Sequence, residues 1–138
     1  MSRPSTVRVL PALALVAALA HDAPAQARPR WLDIGRTGSD NPVELDTRSV
    51  HVAGGITTAT LRVRFVKPVA SPRGPLTSAR TIAMFDCAKR HVAVKENWYY
   101  HDERANRVYE HKVVAQPGWS TAIGGSMPAV ALDHLCKR

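Results

Sequence analysis

Cysteine is scarce in this chain of 138 residues, with only two. Two thiols cannot build a dense disulfide scaffold, nor a Cys-rich zinc site by themselves. Acidic residues are also few, 11 against 19 Lys and Arg, for a formal charge of +8 with His neutral. No stretch reaches the about 20 apolar residues that cross a bilayer as a helix. No H-E-x-x-H or C-x-x-C spacing occurs, and there is no internal repeat or coiled-coil heptad. What is present is globular: 45% hydrophobic and 22% charged residues, with ten prolines and eight glycines to supply turns. The length allows one modest domain.

The first residues read as an address. Arg3 and Arg8 precede an uncharged run from Val9 to Ala20, followed by the small-x-small site Ala23-Pro24-Ala25. This is the three-part order of a secretory signal, expected to be cleaved after Ala25 and to leave a domain over residues 26–138. Its brevity is bacterial in style. The expected location is the periplasm, the cell surface or the medium, with no integral membrane segment left after cleavage. No cysteine stands near the cleavage site to accept a lipid.

Export changes how the cysteines read. Cys87 and Cys136 lie 49 positions apart, and an oxidising compartment permits them to pair. Closing a loop of about 50 residues is worth on the order of 4 kcal/mol on the chain-entropy account. A free thiol and an intermolecular bridge are the competing readings.

The rest reads as strands followed by one helix. A short strand fits Trp31–Ile34. Residues 43–52 hold two apolar pieces around Asp46-Thr47-Arg48, expected as two strands joined by a turn. Over Thr57–Lys67, Leu61, Val63 and Phe65 alternate with Thr60, Arg62 and Arg64, giving one apolar and one basic face. Prolines, glycine and serines over 68–78 predict a long loop. Thr81–Cys87 is apolar on both faces, which suits a strand covered on both sides and leaves room for a homodimer. Val92–His101 and Arg107–Val114 flank the polar turn Asp102–Asn106 as a hairpin, with His111 opposite about Trp98. Ser126 is placed to cap a helix from Met127 to Cys136, with Pro128 in its first turn. The expected fold is α+β: an antiparallel sheet of about six strands, a C-terminal helix packed on one face, and a single disulfide, Cys87–Cys136.

Chemical signals are thin. His91, His101 and His111 recur every ten residues but need not converge in the hairpin, so no metal or cofactor site is assigned. Gly124-Gly125-Ser126-Met127-Pro128 is half of a nucleophile elbow, with Pro128 where the final glycine belongs, and helix capping explains Ser126 better. Asp102 and Glu103 are adjacent at a turn, where solvation accounts for them. No catalytic residue is assigned. The feature of functional weight is basic: Arg62, Arg64 and Lys67 on one strand, and Lys89, Arg90 and Lys95 after Cys87. Such a face attracts acidic partners, while a solvated face is the plain alternative. Export removes cellular nucleic acid as the partner.

Several pieces, in order, carry a family resemblance: Trp31-Leu32-Asp33-Ile34, Asp46-Thr47-Arg48-Ser49-Val50, Leu61–Phe65, Phe85-Asp86-Cys87-Ala88-Lys89-Arg90, and Ser126-Met127-Pro128 running to Leu135-Cys136. Together they resemble the surface-adhesin protein E-like family over about residues 31–136. The resemblance implies an antiparallel sheet with a C-terminal helix, bridged cysteines and a non-enzymatic binding module. It implies host extracellular-matrix or serum proteins, such as laminin and vitronectin, as partners. The family's namesake is lipid-anchored, and the missing lipid-accepting cysteine leaves an alternative to the adhesin-like module: a periplasmic structural or envelope-maintenance protein without a host ligand. No family motif transfers binding to the basic residues.

Overall fold

The computed structural model describes residues 30–137; the expected signal segment 1–25 lies outside them. Eight strands and one helix follow in order: β1 Trp31–Arg36, β2 Pro42–Asp46, β3 His51–Ala53, β4 Ile56–Val69, β5 Leu76–Asp86, β6 His91–Asp102, β7 Arg107–Val113, β8 Ser120–Thr121 and α1 Met127–Leu135. Six of the strands form one continuous antiparallel sheet, β1-β2-β4-β5-β6-β7. The two others are short additions, β3 beside β4 and β8 beside β6. The expected count of about six thus describes the main sheet, and the described residues hold eight.

The long strands outrun their sequence boundaries. β5 begins at Leu76, so the loop expected over 68–78 shrinks to the residues between Val69 and Leu76. The prolines misled because they sit where the ladder is interrupted. β4 pairs with β5 continuously from Ile56 to Arg64 and then only at Val69. Pro68 lies in that gap, where its missing N–H removes no ladder bond. The turn expected within 43–52 does not reverse the chain. β2 and β3 both run antiparallel to β4, one at Leu61–Val63 and the other at Ile56–Thr58. They are two segments of one edge, separated by a bulge closed on Asp46, whose carboxylate and carbonyl bond Arg48 N and the Ser49 hydroxyl.

Alternation on β4 decides which face is core. Ala59, Leu61 and Val63 join Leu45, Ala83, Phe85 and Val92 beneath the helix, together with Ala131 and Leu132 of α1. Two polar groups on this face satisfy each other, as Thr81 Oγ1 bonds Asn97 Oδ1 at 2.6 Å. The helix starts as its sequence predicts: Ser126 caps it, accepting from Ala129 N at 3.3 Å, with proline in the first turn. It ends at Cys136, bridged to Cys87 with a Cα separation of 5.3 Å. Gly35 lets the helix approach β1. Its φ of +140° suits glycine, and a Cβ there would stand 3.0 Å from Val130 Cγ1.

Candidate functional site

The face of the sheet away from α1 carries the even positions of β4. Arg62 and Arg64 project there, as the sequence alternation predicts. The register places Glu44 of β2 directly opposite Arg62. Glu44 is buried and takes both guanidiniums: Arg62 Nε at 2.8 Å and Arg64 Nε at 3.2 Å. On the other side of β4, Arg62 pairs in register with Arg80 of β5. Like charges directly opposite repel. The β6–β7 turn relieves the pair by folding over this face, so that Glu103 meets Arg80 and lies 3.8 Å from Arg62 Nη1. Ser78 Oγ also donates to Glu103, at 3.3 Å.

Aromatic rings complete the cluster. The Arg62 guanidinium lies 4.1 Å from the Trp31 ring centre, with Arg80 at 5.6 Å and Arg30 at 5.7 Å from the same ring. Arg80 is also 5.6 Å from the Tyr100 ring. Each such contact adds roughly 0.5–1 kcal/mol where the cation is partly exposed. Burial pushes the Tyr100 phenol above its ordinary pKa, Glu103 pushes the same way, and Arg80 opposes them. Further along the face, Trp98 stacks on His111 with centroids 4.7 Å apart, and His111 Nε2 lies 2.6 Å from Glu96.

Between the β6–β7 turn and strands β4 and β5 lies an open cleft of about 530 Å³. Arg62, Arg64, Arg80 and Arg104 line it with Phe65, Thr77, Ser78, Asp102 and Glu103. The buried Nε–H of Arg80 has no acceptor. An unpaired buried donor costs about 1–3 kcal/mol. Arg104 has no ion-pair partner among the described residues.

The structure divides the six basic residues singled out in the sequence. Arg62 and Arg64 share the cleft; Lys67 lies beyond them on the exposed end of β4. Lys89 and Arg90 follow β5, whose Asp86 pairs with Ile56 at the opposite end of β4. Arg64 and Ile56 are eight residues apart on one strand, roughly 26 Å. Arg90 is engaged there with Asp133 of the helix. Lys95 is the extra residue where the β5–β6 register shifts, since Ile82 faces Glu96 and Ala83 faces Val94. Sequence reading missed Trp31, Glu44, Arg80 and Arg104, and the solvation expected for Glu103 is wrong, since its carboxylate is largely buried against Arg80 and Arg62. Arg80 alternates with Ile82 and Met84 on β5, but only the β4–β5 register sets it beside Arg62. The histidines are engaged separately: His101 Nδ1 with Pro75 O at 2.8 Å, His111 with Glu96, and His91 in the ladder opposite Thr121. Among the described residues no three His, Cys, Asp or Glu side chains group as metal ligands. Ile82 and Met84, the second apolar face of β5, are half-buried, and Ile82 lines a small cavity with Trp31 and Trp98.

The sequence profile of surface-adhesin protein E matches residues 31–137. The chain belongs to the surface-adhesin protein E family. This adhesin-family chain also has the fold of solved protein E structures. Crystal form II of Haemophilus influenzae protein E aligns with a TM-score of 0.54 and 15% identity, covering 82% of this chain and 91% of that one. Protein E from non-typeable Haemophilus influenzae aligns with a TM-score of 0.52 and 14% identity, covering 82% and 79%. No curated protein matches the chain in sequence. At such identities the likeness is one of fold. Among the described residues no helix is long and apolar enough to cross a membrane.

Proposed function

We propose that this member of the surface-adhesin protein E family is an exported, non-enzymatic binding module. Its contact surface is the sheet face that α1 leaves open, and its partner is an acidic protein such as a host extracellular-matrix component. The observation that carries this reading is the arginine cleft, where four guanidiniums meet around an open cavity. Such a surface steers and docks acidic groups. The hydroxyl that most resembled a nucleophile, Ser126, is occupied as the helix cap. Family membership supports a binding role. The signal over residues 1–25 supports export.

Two measurements test the reading. Purified protein should bind immobilised laminin or vitronectin saturably, with affinity that falls as salt rises. External protease should digest the domain on intact cells while a periplasmic control survives. Protection until the outer membrane is opened would replace host adhesion with a periplasmic envelope role. Failure to bind any acidic protein would remove the binding module itself.

A further inference from the structure

Counting charges around the cleft narrows the ligand. Four guanidiniums, those of Arg62, Arg64, Arg80 and Arg104, face three carboxylates: Asp102 and Glu103 in the wall, and Glu44 beneath Arg62 and Arg64. The surplus is one positive charge. The groups are not equally available. Arg62 is largely buried and divided between Glu44, Glu103 and the Trp31 ring. Arg80 contacts Glu103, and its unpartnered Nε–H is buried. Arg64 is more than half exposed, and Arg104 is exposed without an ion-pair partner among the described residues.

We infer that the cleft is a receptor for one carboxylate of a polypeptide, an isolated Asp or Glu, held between Arg64 and Arg104 with Arg80 behind. The inference rests on the binding-module reading and specifies its contact. A guanidinium presents a planar fork that matches a carboxylate. A densely sulfated glycan fits worse. Chains of that kind need a run of unpaired cations, and here three carboxylates stand among the arginines and repel a second anion.

Arginine side-chain Nε–Hε signals in ¹H–¹⁵N spectra of the protein read this directly. The probe is a blocked Leu-Glu-Leu peptide, with Leu-Gln-Leu as its uncharged match and a heparin hexasaccharide as the polyanion. The Glu peptide should move the signals of Arg64, Arg80 and Arg104 saturably. Arg64→Ala or Arg104→Ala should weaken it about tenfold, the loss of one charge-assisted contact. Arg90→Ala, at the far end of the sheet, should leave it unchanged. Backbone spectra of each variant confirm folding. Equal binding of the Gln peptide, absence of saturable shifts, or heparin moving these signals where the Glu peptide does not would each overturn the inference. Two outcomes separate it from the broader function. Matrix-protein binding that survives the double variant Arg64→Ala/Arg104→Ala overturns the carboxylate receptor and leaves the binding module standing. Saturation by the Glu peptide with no matrix protein bound supports the receptor and removes that module's host partner.

Discussion

Replacing Cys87 with serine probes how the helix is held. α1 has nine residues and buries only Ala131 and Leu132 fully enough to count as core. Isolated helices shorter than about 12–15 residues are marginal in water. The helix therefore depends on its docking, and the bridge fixes its last residue, since Cys136 is also the C-cap and donates its N–H to Leu132 O at 2.9 Å. The bridge closes a loop with a sequence separation of 49. On the chain-entropy account, opening it destabilises the protein by about 4 kcal/mol. For a domain of roughly a hundred residues, that lowers Tm by about 15–20 °C.

Calorimetry of Cys87→Ser, Cys136→Ser and the double variant measures this. All three should melt alike, because each abolishes the same covalent link. Amide exchange adds the local signature. In the reduced protein the amides of α1 should lose protection before those of β4 and β5, whose ladder is independent of the bridge. A Tm drop below about 5 °C, with the bridge confirmed by mass in the wild type, would refute the loop-entropy reasoning. Loss of α1 protection together with that of β4 would refute the claim that the bridge acts through the helix.

Other substitutions test the packing and the arginine face. Gly35→Ala forces a Cβ to 3.0 Å from Val130 Cγ1 at a φ of +140°, and should cost about 1–3 kcal/mol in urea unfolding; a neutral result would mean β1 shifts freely beneath the helix. Glu44→Ala leaves Arg62 and Arg64 without their shared carboxylate and should cost about 1–3 kcal/mol, with Glu44→Gln retaining part of it; equal stability of all three proteins would show that the pair is solvated. Ser126→Ala should cost about 1 kcal/mol and Ser126→Asp should recover most of it; no change on removing the hydroxyl would show that the cap carries no weight. Burial, followed by the charge of Lys137, holds the His134 pKa below its ordinary 6.5. The unfolded chain then binds that proton more tightly, so this stability is complete above about pH 6.5 and lost as pH falls below it. His134→Gln should therefore lose less Tm than the wild type between about pH 7.5 and pH 5; an unchanged difference would assign the acid sensitivity elsewhere.

What could be read from sequence was whatever depends on neighbours along the chain. Alternation on Leu61, Val63 and Phe65 placed the core face of β4, and the polar turn at 102–106 set Trp98 opposite His111. Ser126 and Pro128 marked the helix start. The family resemblance, read from pieces spread over about residues 31–136, agrees with the profile match. Cross-strand facts were out of reach. Nothing near Arg62 in sequence announces Glu44, 18 positions earlier, or Arg80 in register with it. The basic stripe therefore read as free charge, whereas its inner half is neutralised. The bulge at Lys95 was hidden for the same reason, because a register shift belongs to a pair of strands and not to either one.

That neutralisation argues for where binding energy can arise. An arginine already satisfied by Glu44 and stacked on Trp31 gains little from a new anion, since the ligand must compete with contacts in place. Its contribution is to hold shape, keeping the floor of the cleft rigid so that a partner loses less on ordering it. Energy of association must instead come from groups whose donors are idle and exposed, and these are Arg104 and the outer side of Arg64. Mutating Arg62 and mutating Arg104 should then fail in different ways. Arg62→Ala should lower stability and perturb the whole face, while Arg104→Ala should leave stability within about 0.5 kcal/mol of wild type and weaken binding alone. If Arg104→Ala proved the more destabilising of the two, the division of the cluster into supporting and contacting arginines would be wrong.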